Sequence, residues 1–273
     1  MKDILLKQAR VIDPGGPYNN KVVDILIKKG VIESIDKDIP SGKAQVIESE
    51  NLHVSIGWFD TSVHLREPGH EYKETIQTGL DAAAAGGFTA VAVLPSTKPF
   101  IDSNSGVEFL MNKAAGHRVS VHPLGAISKE GKGEQLAELY DMHQSGAIGF
   151  TDDGPISNTR LVMLALQYQQ QFDGIIVTYP TDPDLSGNGQ MHEGAQSVRF
   201  GMKGIPDIAE EVQLARDIKL QEYAGGHLHV GTVSTSGAVK LIREAKKKGA
   251  NITCSVAAHN LLFDDTYLAG FDS

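Results

Sequence analysis

The run DTSVHLREPGHEYKETIQTG, residues 60–79, opens with Asp60 and His64 framing a stretch that nearly spells a metal site. A histidine at position 62 would make it His-x-His. On a strand, positions 62 and 64 point to the same face, so two imidazoles there could reach one ion. The residue at 62 is serine. The chemistry to weigh is therefore a metal centre with a ligand replaced.

Other polar residues fall where strands should end: Arg66 beside His64, Ser96 and Thr97, Asp152 and Asp153, Tyr179, and Thr232 with Ser234. The apolar runs before them are VSIGWFDTSVHL, FTAVAVLP, VSVHPLGA, AIGFTDD, GIIVTYP, HLHVGTVST and ITCSVAAH. Helical patterns separate most of these runs. Ala238, Leu241, Ile242 and Ala245 share one helix face. Pro206 suits a first helical position, with Ile208, Val212, Ala215 and Ile218 as the expected buried stripe. YKETIQTGLDAAAAGG reads as a helix ended by a glycine pair. Repeated strand–helix units predict a parallel sheet, an α/β (β/α) barrel of TIM type, over residues 53–273. Barrel enzymes build their sites at the C-terminal ends of the strands. Residues 1–52 show no helical period. DILLKQARVID and KVVDILIKKGVIESID flank the turn-forming PGGPYNN, which predicts a small β-sheet domain.

The chain carries 34 acidic against 25 basic residues, a net charge of −9, which argues against nucleic acid or an anionic membrane as the main partner. One cysteine, Cys254, excludes an internal disulfide framework and fits a cytoplasmic protein. Its apolar neighbours predict a buried strand thiol. No secretory leader is legible in MKDILLKQARVID, and no run approaches a membrane span.

The linked blocks DTSVHLREPGHEYKETIQTGLDAAAAGGFTAVAVLPSTKP, FTDDGPI, GQMHEGAQSVRFGMKGIPDIAEE and HLHVGTVST closely resemble, in order, the barrel of dihydroorotases in the amidohydrolase superfamily. The resemblance implies interconversion of N-carbamoyl-aspartate and dihydroorotate in pyrimidine biosynthesis, with zinc as cofactor. It also implies ligands at fixed places: His-x-His after the first strand, Asp after the fourth, His after the fifth and sixth, Asp after the eighth. An Arg and an Asn bind substrate. Here His64 and Asp153 match metal positions and Arg66 matches the substrate arginine, whereas Ser62, Tyr179 and Thr232 stand at three histidine positions and Ser96 at the asparagine. The eighth-strand Asp would lie beyond Ser273.

Neutral hydroxyls are poor zinc ligands at pH 7. The other histidines are weak substitutes. His229 should face away from the side that Thr232 serves, His192 is in a loop, His227 lies early in its strand, and His259 follows the seventh. The expectation is a non-catalytic homologue, with no catalytic residue assigned and zinc absent or weakly held. Such chains in the family accompany aspartate carbamoyltransferase, which makes that enzyme the partner implied. The alternatives are an active zinc-dependent cyclic amidohydrolase with an altered metal site, and a sensor binding a carboxylate through Arg66. A barrel ending after its seventh strand would also expose edges and favour a homo-oligomer.

Overall fold

In the computed structural model, which describes residues 2–270, the first segment is all β, as its turn chemistry requires. Its strands are β1 (Ile4–Ile12), β2 (Val22–Lys28), β3 (Val31–Asp36), β4 (Gln45–Ile47) and β5 (His53–Ser55). They form one sheet ordered β3-β2-β1-β4, with β5 also pairing β1. Leu5, Ala9, Val23, Ile25 and Ile39 are its buried apolar residues. A bulge in β1 between Leu6 and Ala9 turns Gln8 into the left-handed region, at φ 51°. The Asp24 carboxylate accepts the Gln8 N–H there, and also takes Ile39 N–H and Lys7 Nζ.

The first compact unit runs to Trp58 and the second begins at Phe59. VSIGWFDTSVHL is two strands. His53–Ser55 adds in parallel to β1 through Arg10, Val11 and Ile12, and only β6 (Trp58–Val63) belongs to the second sheet.

From Phe59 the chain alternates strand and helix. The elements are α1 (Ile76–Ala85), β7 (Phe88–Val93), α2 (Asn104–Ala114), β8 (Ser120–Gly125), α3 (Leu139–Gln144), β9 (Gly149–Phe150), α4 (Thr159–Tyr168) and β10 (Ile176–Thr178). An excursion follows: α5 (Pro183–Ser186), β11 (Met191–His192), α6 (Ala195–Phe200) and β12 (Gly204–Ile205), with β11 and β12 paired. Then come α7 (Ile208–Ala224), β13 (Leu228–Val230), α8 (Ser236–Lys247) and β14 (Ile252–Cys254). Seven strands lie in the order β14-β13-β10-β9-β8-β7-β6, the sequential winding of a (β/α) barrel. All seven apolar runs of the sequence contribute to this sheet.

Strand alternation sorts the side chains. Val63, Val91, Val93, Phe150, Ile176, Leu228, Val230 and Ile252 join the core beneath the helices. Ala92, Leu94 and Leu124 pack on the other face, with Ile148 and Tyr179 against them. Continuing that second parity past the strand ends carries Ser62, His64, Ser96, Asp153 and Tyr179 to one side.

Two expectations need correction. The buried face of α7 carries Ala209, Gln213, Leu214, Asp217, Ile218 and Gln221, while Ile208 and Val212 are exposed. Its buried polar groups are only partly satisfied: Arg216 pairs with Asp217 and Gln221 Nε2 donates to the Gly226 carbonyl, while Gln213 Nε2 and Gln221 Oε1 have no hydrogen-bond partner among the described residues. Hydrophobicity alone pointed to the wrong stripe. Cys254 is exposed rather than buried, because it ends β14, the strand at the edge of the seven-stranded sheet. The α8 and α1 patterns match their helices. Ala238, Ile242 and Ala245 are buried, and α1 runs from a Thr75–Thr78 capping box to Gly86.

Candidate functional site

The ends of β6, β7, β9, β10 and β13 supply polar side chains, and three of these segments turn sharply. Arg66, Asp153 and Thr232 all sit in the left-handed region, at φ 62°, 54° and 48°. That conformation is uncommon for residues with a Cβ, and for β-branched threonine it is an outlier. Strain of this kind concentrates at functional sites.

Two hydrogen-bonded groups fill the mouth. In the first, Ser62 Oγ lies 2.7 Å from Tyr179 OH, joining β6 to the end of β10. The Ser62 N–H donates to Asp60 Oδ1 at 3.0 Å. The Tyr179 ring rests on Gly231. A Cβ at that glycine would come within 2.5 Å of the ring, so the phenol occupies its position because residue 231 has no side chain. Burial pushes the Tyr179 hydroxyl above its ordinary pKa, the Ser62 bond opposes this, and the Asp153 and Asp60 carboxylates add to the rise. The phenol is neutral at physiological pH.

In the second group, Ser96 Oγ donates to Asp153 Oδ2 at 2.5 Å and lies 3.2 Å from His64 Nδ1. His64 Nε2 is 3.5 Å from the same carboxylate oxygen. Burial lowers the His64 pKa. Asp153 works against that and Arg66 adds to it, so both charged groups act on the ring. The Arg66 guanidinium has no hydrogen-bond or ion-pair partner among the described residues. Asp153 N–H donates to Thr151 Oγ1, which holds the strained turn.

Several strand-end residues serve other purposes. Asp152 turns to Ser128, taking its N–H and its hydroxyl, and burial raises the Asp152 pKa against those bonds. Thr97 bonds the Pro99 carbonyl, and Ser234 bonds Glu210. Thr232 is exposed and its N–H reaches Ser255 Oγ at 3.3 Å. His229 makes a separate network with β14: Nδ1 to Thr253 Oγ1 at 2.8 Å and Nε2 to Ser255 Oγ at 3.1 Å. His227 reaches the same Thr253 oxygen, and His192 faces Asp207.

The donor set does not fit a zinc centre. Such a centre takes about three or four N, S or carboxylate ligands. Here His64 and Asp153 are a pair, and the neighbouring groups are neutral hydroxyls bonded to each other. Among the described residues no three of His, Cys, Asp and Glu gather to hold an ion. Sequence reasoning found Ser62, Ser96 and Tyr179 as replacements but missed that Ser62 bonds Tyr179 and that Ser96 bonds Asp153. It also missed Gly231, whose only signal is its place two residues after His229 on the inner parity.

Solved structures that superpose on this chain include hydantoinases and dihydropyrimidinases. L-hydantoinase (dihydropyrimidinase) from Arthrobacter aurescens superposes with a TM-score of 0.81 at 20% identity, over 100% of this chain and 62% of that one. Dihydropyrimidinase from Brevibacillus agri NCHU1002 gives 0.75 at 20% identity, over 99% and 60%. The fold is thus that of the amidohydrolases.

Sequence narrows the class. Residues 53–238 match the dihydro-orotase-like family profile. The chain is 43% identical to the dihydroorotase of Syntrophotalea carbinolica over 99% of its length and 64% of that relative, and 43% identical to that of Pelotomaculum thermopropionicum over 99% and 63%. It belongs to the dihydroorotase-like family of metal-dependent amidohydrolases. It spans about 64% of the length of the curated relatives it matches. Among the described residues no helix is long and apolar enough to cross a membrane.

Proposed function

We propose that this chain serves pyrimidine biosynthesis in the cytoplasm as a non-catalytic dihydroorotase homologue, a pseudoenzyme with a structural or regulatory role. The observation that carries this reading is the Ser62–Tyr179 hydrogen bond, at 2.7 Å. Two positions that hold imidazoles in the resembling enzymes are here occupied by hydroxyls that satisfy each other. Without an activated water, the attack on a ring amide carbonyl lacks its nucleophile. His64 and Asp153 are then vestiges of a metal site, with zinc absent or weakly held. Arg66 and Ser96 keep the place of a substrate pocket. Binding a carboxylate there would not lower a barrier unless it favoured the transition state. The partner proposed is aspartate carbamoyltransferase, on the strength of the resemblance described above.

Elemental analysis after dialysis, paired with an assay of carbamoyl-aspartate cyclisation, tests the reading. The expected result is substoichiometric zinc and no rate above background. One or more tightly held zinc ions per chain, with a rate lost in His64→Ala, would overturn it. Cosedimentation with aspartate carbamoyltransferase tests the partner, and independent sedimentation of the two chains would remove it.

A further inference from the structure

Helix α7 buries three polar residues on one stripe. Gln213, Asp217 and Gln221 follow one another at helical spacing and are 3%, 0% and 5% exposed. Thr178, the last residue of β10, is equally buried and shares its parity with Ile176, which joins the core beneath the helices. Among the described residues, five buried side-chain atoms lack a hydrogen-bond partner. Four of them belong to these residues: Thr178 Oγ1, Gln213 Nε2, Asp217 Oδ2 and Gln221 Oε1. Native interiors leave few such atoms, so four along one seam need a physical reason.

Three of the four are complementary in chemistry. Arg216 occupies Asp217 Oδ1 through Nε and Nη2, at 2.9 and 2.7 Å, which leaves Oδ2 as an acceptor. Gln213 Nε2 is a donor one turn before Asp217 on the same stripe. Burial raises the Asp217 pKa, and Arg216 and the nearby Thr178 hydroxyl oppose the rise. That hydroxyl faces the carboxylate without a direct hydrogen bond of good geometry, and it can give or take one. Gln221 carries the stripe to the lower end of the helix, where its Nε2 donates to the Gly226 carbonyl at 3.0 Å. Gly226 lines a hollow of about 470 Å³ with Gln169 and His227, which brings solvent to the foot of the seam.

We propose that the seam between α7 and β10 holds an internal water, bound by Gln213 Nε2, Asp217 Oδ2 and Thr178 Oγ1. The water accepts from the amide, donates to the carboxylate and makes its third bond to the hydroxyl, the roughly three bonds usual for buried water. A sodium or potassium ion suits the place less well, since an amide N–H would face it and Arg216 already balances the carboxylate. The site bears on the mouth because Thr178 directly precedes Tyr179. The same helix holds three mouth loops by direct bonds. Arg216 Nη1 donates to the Ser157 carbonyl at 3.3 Å, beyond Asp153. The Asp182 N–H donates to the Ala209 carbonyl at 2.8 Å, beyond Tyr179. Ser234 and Thr235 donate to Glu210, beyond Thr232. The water adds an interior tie between that helix and the strand whose end carries the Ser62–Tyr179 bond. Neither His64 nor Asp153 takes part, so the zinc result does not decide it.

A crystal structure of the 273-residue chain should show an ordered water within about 3.2 Å of Gln213 Nε2 and Asp217 Oδ2. In solution, magnetic relaxation dispersion of the solvent should lose the amplitude of one long-lived water when Gln213→Met and Thr178→Val are combined. Both substitutions nearly keep the shape of the side chain replaced. The effect of each on the unfolding constant should change at least about threefold with the other present, because one water serves both. Sodium, potassium and tetramethylammonium chlorides at equal ionic strength should give the same stability. A seam without water, a direct Gln213–Asp217 bond, an undiminished dispersion amplitude in the double variant, independent effects of the two substitutions, or a stability gain specific to a small cation would each overturn the proposal.

Discussion

Asp24 and Asp153 are both carboxylates held within folded sheets, but one is enclosed and the other is poised. Asp24 is 3% exposed, and it takes Lys7 Nζ and the N–H groups of Gln8 and Ile39. Burial raises its pKa, yet those partners outweigh burial and hold it below the ordinary value. Asp153 bonds one hydroxyl, faces one imidazole, and keeps more of its side chain open, at 15% against 5% for Asp24. The strain differs too. Beside Asp24 the left-handed residue is its partner Gln8, whereas at the mouth it is Asp153 itself. The enclosed carboxylate shapes the backbone around it. The poised one is held by its backbone toward a space that other side chains share.

The most disruptive way to test this contrast is Asp24→Ala. It strands two backbone N–H groups and a lysine, and should cost about 3 kcal/mol in chemical denaturation. The Asp24 contribution is present above the unfolded aspartate pKa of about 3.9 and is lost as pH falls through the lowered folded value. Wild type should therefore lose stability in that acid window and the variant should not. A cost below that of Asp153→Ala would reverse the comparison.

Gly231→Ala comes next. Its Cβ would meet the Tyr179 ring at 2.5 Å, and overpacking of this sort costs about 2 kcal/mol. Unchanged tyrosine fluorescence and stability would mean that the ring is not seated there.

Tyr179→Phe leaves the Ser62 hydroxyl without its partner and should cost about 1 kcal/mol. A double-mutant cycle with Ser62→Ala should give coupling of at least about 0.5 kcal/mol. Additivity would separate the two hydroxyls.

The histidines sharpen the picture through pH. Burial lowers the pKa of His229, and the charges of His227 and Lys246 lower it further. A histidine depressed in the folded state binds protons more readily when unfolded. Its contribution is full above about pH 6.5 and shrinks as pH falls toward the folded value. His229→Gln should flatten the stability profile of wild type below pH 6.5.

The smallest effect is expected for Asp153→Asn, within about 0.5 kcal/mol of wild type, since an amide oxygen can still accept from Ser96. A large loss would make Asp153 as structural as Asp24.

Much of this was legible in the sequence because it depends on period. The seven apolar runs, the α8 stripe and the glycine stop of α1 follow from spacing alone. Inner and outer faces also follow from parity, which is how Ser62 and His64 share a side. What escaped reading depends on contacts between distant segments. Ser62 and Tyr179 are 117 residues apart, and nothing local marks them as partners. The turned face of α7 hides Gln213 and Asp217 for reasons that only their neighbours supply. The β5–β6 break appeared as one run because both halves are apolar and β-forming.

The bond between Ser62 and Tyr179 makes two positions change as one. A histidine at 179 alone would strand the serine, and a histidine at 62 alone would press against a phenol seated on Gly231. A change at either position alone thus begins with a loss in stability, so the clasp ties two residues far apart in sequence to a joint fate.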